Sequence, residues 1–168
     1  CHLQGNEFNV TLKPNFETAS DDARAVIDQA LVYLLDLLED SVRGVVNVDP
    51  EMDGLARAYY SDTDPEIKGV LDETDETPVV DVADIPEEIA SLFERIDVAY
   101  YEADAAEIGS LELNKVVGVE SALDVLGIDY PFALVMGDSK SYLRVMRWVA
   151  DNDAGIAAID QRRRRSTA

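Results

Sequence analysis

Residues 132–146, Phe132-Ala133-Leu134-Val135-Met136-Gly137-Asp138-Ser139-Lys140-Ser141-Tyr142-Leu143-Arg144-Val145-Met146, decide how this chain is read. A short apolar run, Phe132 to Met136, stops at Gly137-Asp138-Ser139. A helical pattern follows, with Leu143, Val145, Met146 and Val149 as its apolar positions. The pattern predicts a buried strand, a tight turn and a helix start. In open α/β sheets ligands collect at the carboxyl ends of strands, which is where Asp138 falls. Asp and Ser are also preferred helix N-caps, so a purely structural role for Asp138 is the competing reading.

Working outward, the segment before this stretch has the same grammar. Val116, Val119, Ala122, Leu123 and Leu126 form a helical stripe that Gly127 stops. After the helix that carries Leu143 to Val149 comes another apolar run, Ala154 to Ala158. Helix, strand, helix, strand with continuous apolar strands predicts a parallel α/β sheet over 111–160. Fifty residues are too few for a whole doubly wound domain.

Residues 1–110 follow a different pattern. Asn6 to Lys13 alternates as a strand, with Phe8, Val10 and Leu12 on one face. Ser20-Asp21-Asp22 opens a helix whose apolar positions run from Val26 to Leu38. Val42 to Val48 reads as a second short strand, and about 51–84 as an acidic, turn-rich insert. In that insert neither SDTDPE nor LDETDETP has the glycine and glutamate spacing of an EF-hand loop. Asp84 reads as the cap of a helix containing Ile89, Leu92 and Phe93. Strands follow at Val98–Glu102 and Ile108–Leu113. The expectation is an α+β layer, helices on one face of a mostly antiparallel sheet.

Composition narrows the function classes. Thirty-five acidic residues against 14 basic give a net charge of −21, while 47% of residues are hydrophobic, which argues for a folded chain rather than a disordered one. A surface saturated with carboxylates is tolerated where salt screens their repulsion, so a halophilic cytoplasm is the expected setting. Nucleic acid is disfavoured as a partner because the phosphate backbone needs a basic face. No run of 18 apolar residues and no signal peptide is present, so no membrane partner is expected. A single cysteine, Cys1, excludes an intramolecular disulfide and a cysteine-based zinc site. His2, the lone histidine, makes a histidine-based nucleophilic triad implausible. The chain starts without methionine, which suggests truncation at its front. The arginine run of 161–168 reads as foreign to the original fold, the alternative being a tail for an anionic partner.

Lys115 at the start of one helix and Asp138 at the end of the next strand stand together in NKVVGVESALDVLGI and FALVMGDSKS. This pair resembles the haloacid dehalogenase-like (HAD) phosphatases, most closely the capped subclass that includes archaeal phosphoglycolate phosphatases and Cof-type sugar phosphatases. The resemblance covers roughly 110–158. It implies a HAD-like α/β fragment: an α+β cap domain at 1–110, then the C-terminal part of a parallel Rossmann-like core. It further implies a Mg²⁺-dependent phosphomonoester hydrolase acting on a small phosphorylated metabolite through an aspartyl-phosphate. Lys115, Ser139 and Ser141 would bind phosphate and Asp138 would serve the metal. The catalytic nucleophile, an apolar strand ending in DxDx[TV], is absent: neither Asp62-Thr63-Asp64 nor Asp151-Asn152-Asp153 reads as following a buried strand. Tyr142 stands where the family has a second carboxylate. The chain is therefore expected to be a fragment inactive alone, the alternative being a non-catalytic binding or regulatory domain. An unrelated nucleotide-binding domain would need a glycine-rich phosphate loop, and no such motif occurs.

Overall fold

The computed structural model describes residues 1–5, 9–127, 134–137, 140–151 and 157–160. It falls into two compact units, Cys1–Leu111 and Glu112–Ala168. The first holds β1 (His2–Gly5), β2 (Asn9–Lys13), α1 (Ser20–Arg43), α2 (Leu55–Thr63), α3 (Pro65–Glu73), α4 (Glu87–Phe93), β3 (Ile96–Tyr101) and β4 (Ala105–Ser110). The second holds α5 (Lys115–Leu126), β5 (Leu134–Gly137), α6 (Lys140–Asp151) and β6 (Ala157–Asp160).

In the first unit the four strands form an antiparallel sheet in the order β1-β2-β4-β3. Register puts Val98 opposite Ile108 and Tyr100 opposite Ala106, with Leu12 opposite Ala106 on the other side of β4. These side chains share one face and join the core beneath α1, which lies against β4 and β2, and α4, which lies against β3. The opposite face carries Thr11 and Glu107, paired across strands, where the Thr11 hydroxyl donates to the Glu107 carboxylate at 3.1 Å. The layer is thus mixed α and β with an antiparallel sheet, as the alternation and helical periods suggested.

Helix α1 spans 24 residues, about 36 Å at 1.5 Å per residue. Its buried stripe, Ile27, Leu31, Leu34, Leu35, Leu38 and Val42, repeats every three to four residues. Val42 belongs to this stripe, which corrects the expected strand at 42–48. The helix continues through Arg43, Ser41 Oγ donates to the Leu37 carbonyl at 2.7 Å, and the chain then turns with the Val46 N–H donating to the Val42 carbonyl. The β-branched run favoured a strand locally, but Val42 and Val46 are buried only in the turn geometry, so packing overrides propensity.

The acidic stretch about 51–84 is likewise corrected. It is not a solvated insert: α2 and α3 lie in it, and Leu55, Tyr60, Ile67 and Leu71 are in the core. The misread signal is Asp64-Pro65-Glu66. Asp64 caps α3, its side chain accepting the Glu66 N–H at 2.8 Å, Pro65 takes the first helical position, and Ile67, Val70 and Leu71 then keep a helical period. The acids here lie partly on the helices, as Asp62, Glu66, Asp72 and Glu73, and partly in the turns between them. Asp84 is not a cap either. It ends a short 3₁₀ turn, Val82–Asp84, and Pro86 precedes α4.

Strand β1 was not expected from sequence, and Phe8 lies outside the described residues. The expected strand at 108–113 starts earlier, at Ala105, because the reversal takes only Glu102 to Asp104, with Ala103 at φ 59°. In the second unit β5 and β6 pair in parallel, from Leu134 opposite Ala157 to Gly137 opposite Asp160. Helix α6 connects them and packs on both strands and on α5. Its Val145 is 2% exposed, and Trp148 Nε1 donates to Glu120 Oε1 on α5 at 2.7 Å. The last strand is described at Ala157–Asp160, two residues beyond the expected end at 158; residues 154–156 lie outside the described residues.

Candidate functional site

Helix α5 begins with a designed stop for its first N–H groups. Asn114, extended at φ −113°, accepts the N–H of Val116 at 2.8 Å and of Val117 at 3.2 Å through Oδ1. Lys115 is consequently the first helical residue, and it is exposed. At its far end Gly127 takes φ 64°, the left-handed conformation that closes a helix, and donates to the Asp124 carbonyl. The first residue of helix α6 is also a lysine, Lys140.

This placement runs against helix electrostatics. A helix N-terminus carries partial positive charge, so a lysine there costs a few tenths of a kcal/mol or more, where an acid would gain as much. In the first unit Asp21 and Asp22 open α1, Glu66 opens α3, and Glu87 and Glu88 open α4, while α2 has no acid in its first turn. In α5 and α6 the first turn has no acid at all. Two of the chain's four lysines thus sit at the two helix starts of the second unit, although acids outnumber bases by 35 to 14. A helix N-terminus offers its free N–H groups to an anion.

Strand β5 ends at Gly137, and α6 starts three residues later. The proposed metal residue Asp138 and the proposed phosphate residue Ser139 fall in this interval and lie outside the described residues. Ser141 is the second residue of α6 and Tyr142 the third. Gly137 pairs with Asp160, so the ends of β5 and β6 lie side by side. Mg²⁺ takes oxygen donors, one or two carboxylates with waters completing the shell, and Asp138 and Asp160 are donors of that chemistry. Tyr142 is not, since a neutral phenol is a poor ligand for a hard cation. Among the described residues no three His, Cys, Asp or Glu side chains converge.

Sequence reading missed the polar network of the first unit. Glu39, 5% exposed, accepts Arg43 Nη2 at 2.7 Å, the Gly54 N–H at 3.2 Å and the Ala56 N–H at 3.1 Å. It serves as a remote cap for α2, whose own N-cap is a glycine. Arg43 also donates to the Met52 carbonyl. Arg57 joins α1 to the segment after α3 by pairing with Asp36 at 2.6 Å and with Glu76. Burial opposes its charge, but the hydrogen bonds and charges of Asp36, then Glu76, outweigh that and raise its pKa. Arg24 reaches Glu73 at 2.7 Å and Glu102 at 3.3 Å. Tyr100 donates to the buried Asp28 at 2.5 Å. Burial, then that hydrogen bond, holds the Tyr100 phenol well above its usual pKa. The i,i+4 spacings of Glu39–Arg43 and Arg24–Asp28 are the signals that could have found this network. These groups are satisfied by each other, and their role is to fasten helices.

Compared with protein-family models, with curated proteins and with solved structures, the chain matches none. Among the described residues no helix is long and apolar enough to cross a membrane.

Proposed function

We propose that this chain is the cap and the C-terminal part of the core of a Mg²⁺-dependent phosphatase of the HAD type. It acts on a small phosphorylated metabolite in a salt-rich cytoplasm and is inactive without further core strands. The observation that carries the reading is the pair of lysines, Lys115 and Lys140, at the starts of α5 and α6 beside a parallel strand pair. Phosphate is the ligand for which such an arrangement offsets its own helix cost. Support also comes from α5, which has no buried residue and leaves Val125 88% and Leu126 68% exposed. Parallel strands are found covered on both faces, and a two-stranded pair with an apolar helix open to solvent suits a core that continues in further strands.

In this reading Lys115 holds the phosphoryl oxygens, Ser139 and Ser141 donate hydroxyl hydrogen bonds to them, and Asp138 supplies a carboxylate to the metal. Mg²⁺, when bound, neutralises charge gathered on the phosphoryl group. The first unit excludes water and selects the leaving group. The test is a chain extended upstream in its natural reading frame, assayed in molar KCl with Mg²⁺ and p-nitrophenyl phosphate. Turnover that falls at least about a hundredfold in Lys115→Ala supports the reading, since fixed charges at a reacting oxyanion are worth that much. An extended chain no faster than its Lys115→Ala form refutes it.

Tyr142 favours a second reading, a domain that keeps the sheet and binds or regulates without catalysis. The same extended chain carrying Tyr142→Asp separates the two. Mg²⁺-dependent turnover gained by this change marks a damaged enzyme, and none marks a binding module.

A further inference from the structure

We propose that the first unit carries an oxyanion site of its own, independent of the lysines of the second. A cavity of about 510 Å³ opens where β1 and β2 meet the start of α1, lined by His2, Lys13, Phe16, Thr18, Ser20 and Asp104 among others. The register of the hairpin sets His2 directly opposite Lys13, so two nitrogen-bearing side chains stand on the same sheet face, about 5 Å apart at Cβ. The Phe16 ring stacks on His2, 5.6 Å between centroids and 17° from parallel. Thr18 and Ser20 add two hydroxyls, and the structure shows no hydrogen bond from either to another described residue.

One carboxylate, Asp104, lines this cavity, and its contact with Lys13 Nζ is long, 3.9 Å. At that distance the ammonium retains donors for another acceptor. In a chain of net charge −21, a cavity whose lining is richer in donors than in acids is selective for what the rest of the surface repels. The ligand class is a compact oxyanion, carboxylate or phosphate, bound by Lys13 as a point charge and oriented by the hydroxyls.

The experiment is a titration of the full ¹⁵N-labelled chain in KCl with potassium phosphate in one arm and potassium acetate in the other, at constant ionic strength. Saturable shifts of the Lys13, Thr18 and Ser20 amides are expected. The arm that saturates identifies the source, and both saturating identifies the shared oxyanion. Lys13→Met should weaken binding about tenfold, the loss of one charge-assisted contact. Asp104→Asn should strengthen it, because a competing carboxylate is removed. Amide spectra away from the cavity report whether each variant keeps its fold, and Lys13→Arg, which keeps the charge, should retain most of the binding. Saturation in neither arm overturns the proposal, as does unchanged binding in Lys13→Met or weaker binding in Asp104→Asn.

Discussion

Replacing Glu39 tests the polar network that fastens the first unit. Glu39→Ala removes the acceptor of the Gly54 and Ala56 N–H groups and the partner of Arg43 in one step. Losing the cap of α2 costs about 1 kcal/mol. The Ala56 N–H is buried, and a buried donor left unsatisfied costs about 1–3 kcal/mol. Arg43 keeps its bonds to the Met52 and Asp49 carbonyls, so the loss from its side is small. The sum is about 3 kcal/mol, or roughly 12 °C for a domain near a hundred residues. Glu39→Gln keeps one carbonyl acceptor while turning an NH₂ toward a donor, and about half the loss is expected. Thermal melts followed by circular dichroism at 222 nm, in dilute buffer and in molar KCl, measure both. Because Glu39 is buried, salt should restore little of the difference. A Glu39→Ala shift below about 3 °C, or one that molar KCl erases, would refute the assignment of Glu39 as a buried cap.

The remaining expectations are independent of that cluster. Wild-type stability should rise steeply with KCl, since about 1 M salt shortens screening to about 3 Å, and a Tm that falls with KCl would contradict a surface dominated by carboxylate repulsion. Stability should decline as pH rises through about 10, the value at which tyrosines of the unfolded chain lose protons. Burial first, then neighbouring Tyr59 and Asp97, keeps the Tyr60 phenol protonated beyond that pH, and Tyr100 behaves likewise. The native state then holds more protons than the unfolded one, so the slope is negative, and Tyr60→Phe should flatten it in melts from neutral to alkaline pH. Gly54→Ala should cost about 1 kcal/mol because φ is +79° there, with Gly54→Asn cheaper, both read as Tm. In hydrogen exchange the amides of β5 should open more readily than those of β4. A slower β5 would contradict the sparse cover of the second unit.

What the sequence made legible were features with a strong period or a strong punctuation mark. The stripe of α1 from Ile27 to Leu38 is one, and the Asn114 to Gly127 brackets of α5 are another. What it hid were elements whose local preference disagreed with their packing. Val42 looks like the start of a strand and is the last buried turn of a helix. Residues 61–66 look like an acidic loop and are a helix junction, because Asp and Pro are turn formers and helix starters alike. Strand β1 is short, and its exposed Leu3 gives no alternating signal of its own; it exists through its pairing with β2. For the candidate site, residue types could be read from Lys115 and Gly137-Asp138, but nothing in the sequence said that Lys140 would open α6 as Lys115 opens α5.

The distribution of positive charge ties the two units to one physical logic. In the first unit Arg24 and Arg57 each bind a carboxylate of another element and Arg43 binds Glu39 of its own helix, as suits a planar fork with several donors. Lysines are placed differently: Lys13 lines a cavity, and Lys115 and Lys140 begin helices whose dipoles disfavour them. A chain with so large an acidic excess has abundant carboxylates to offer any cation. A lysine at a helix start meets a dipole that opposes it, and an anion bound there, as proposed, would reverse the sign of that cost.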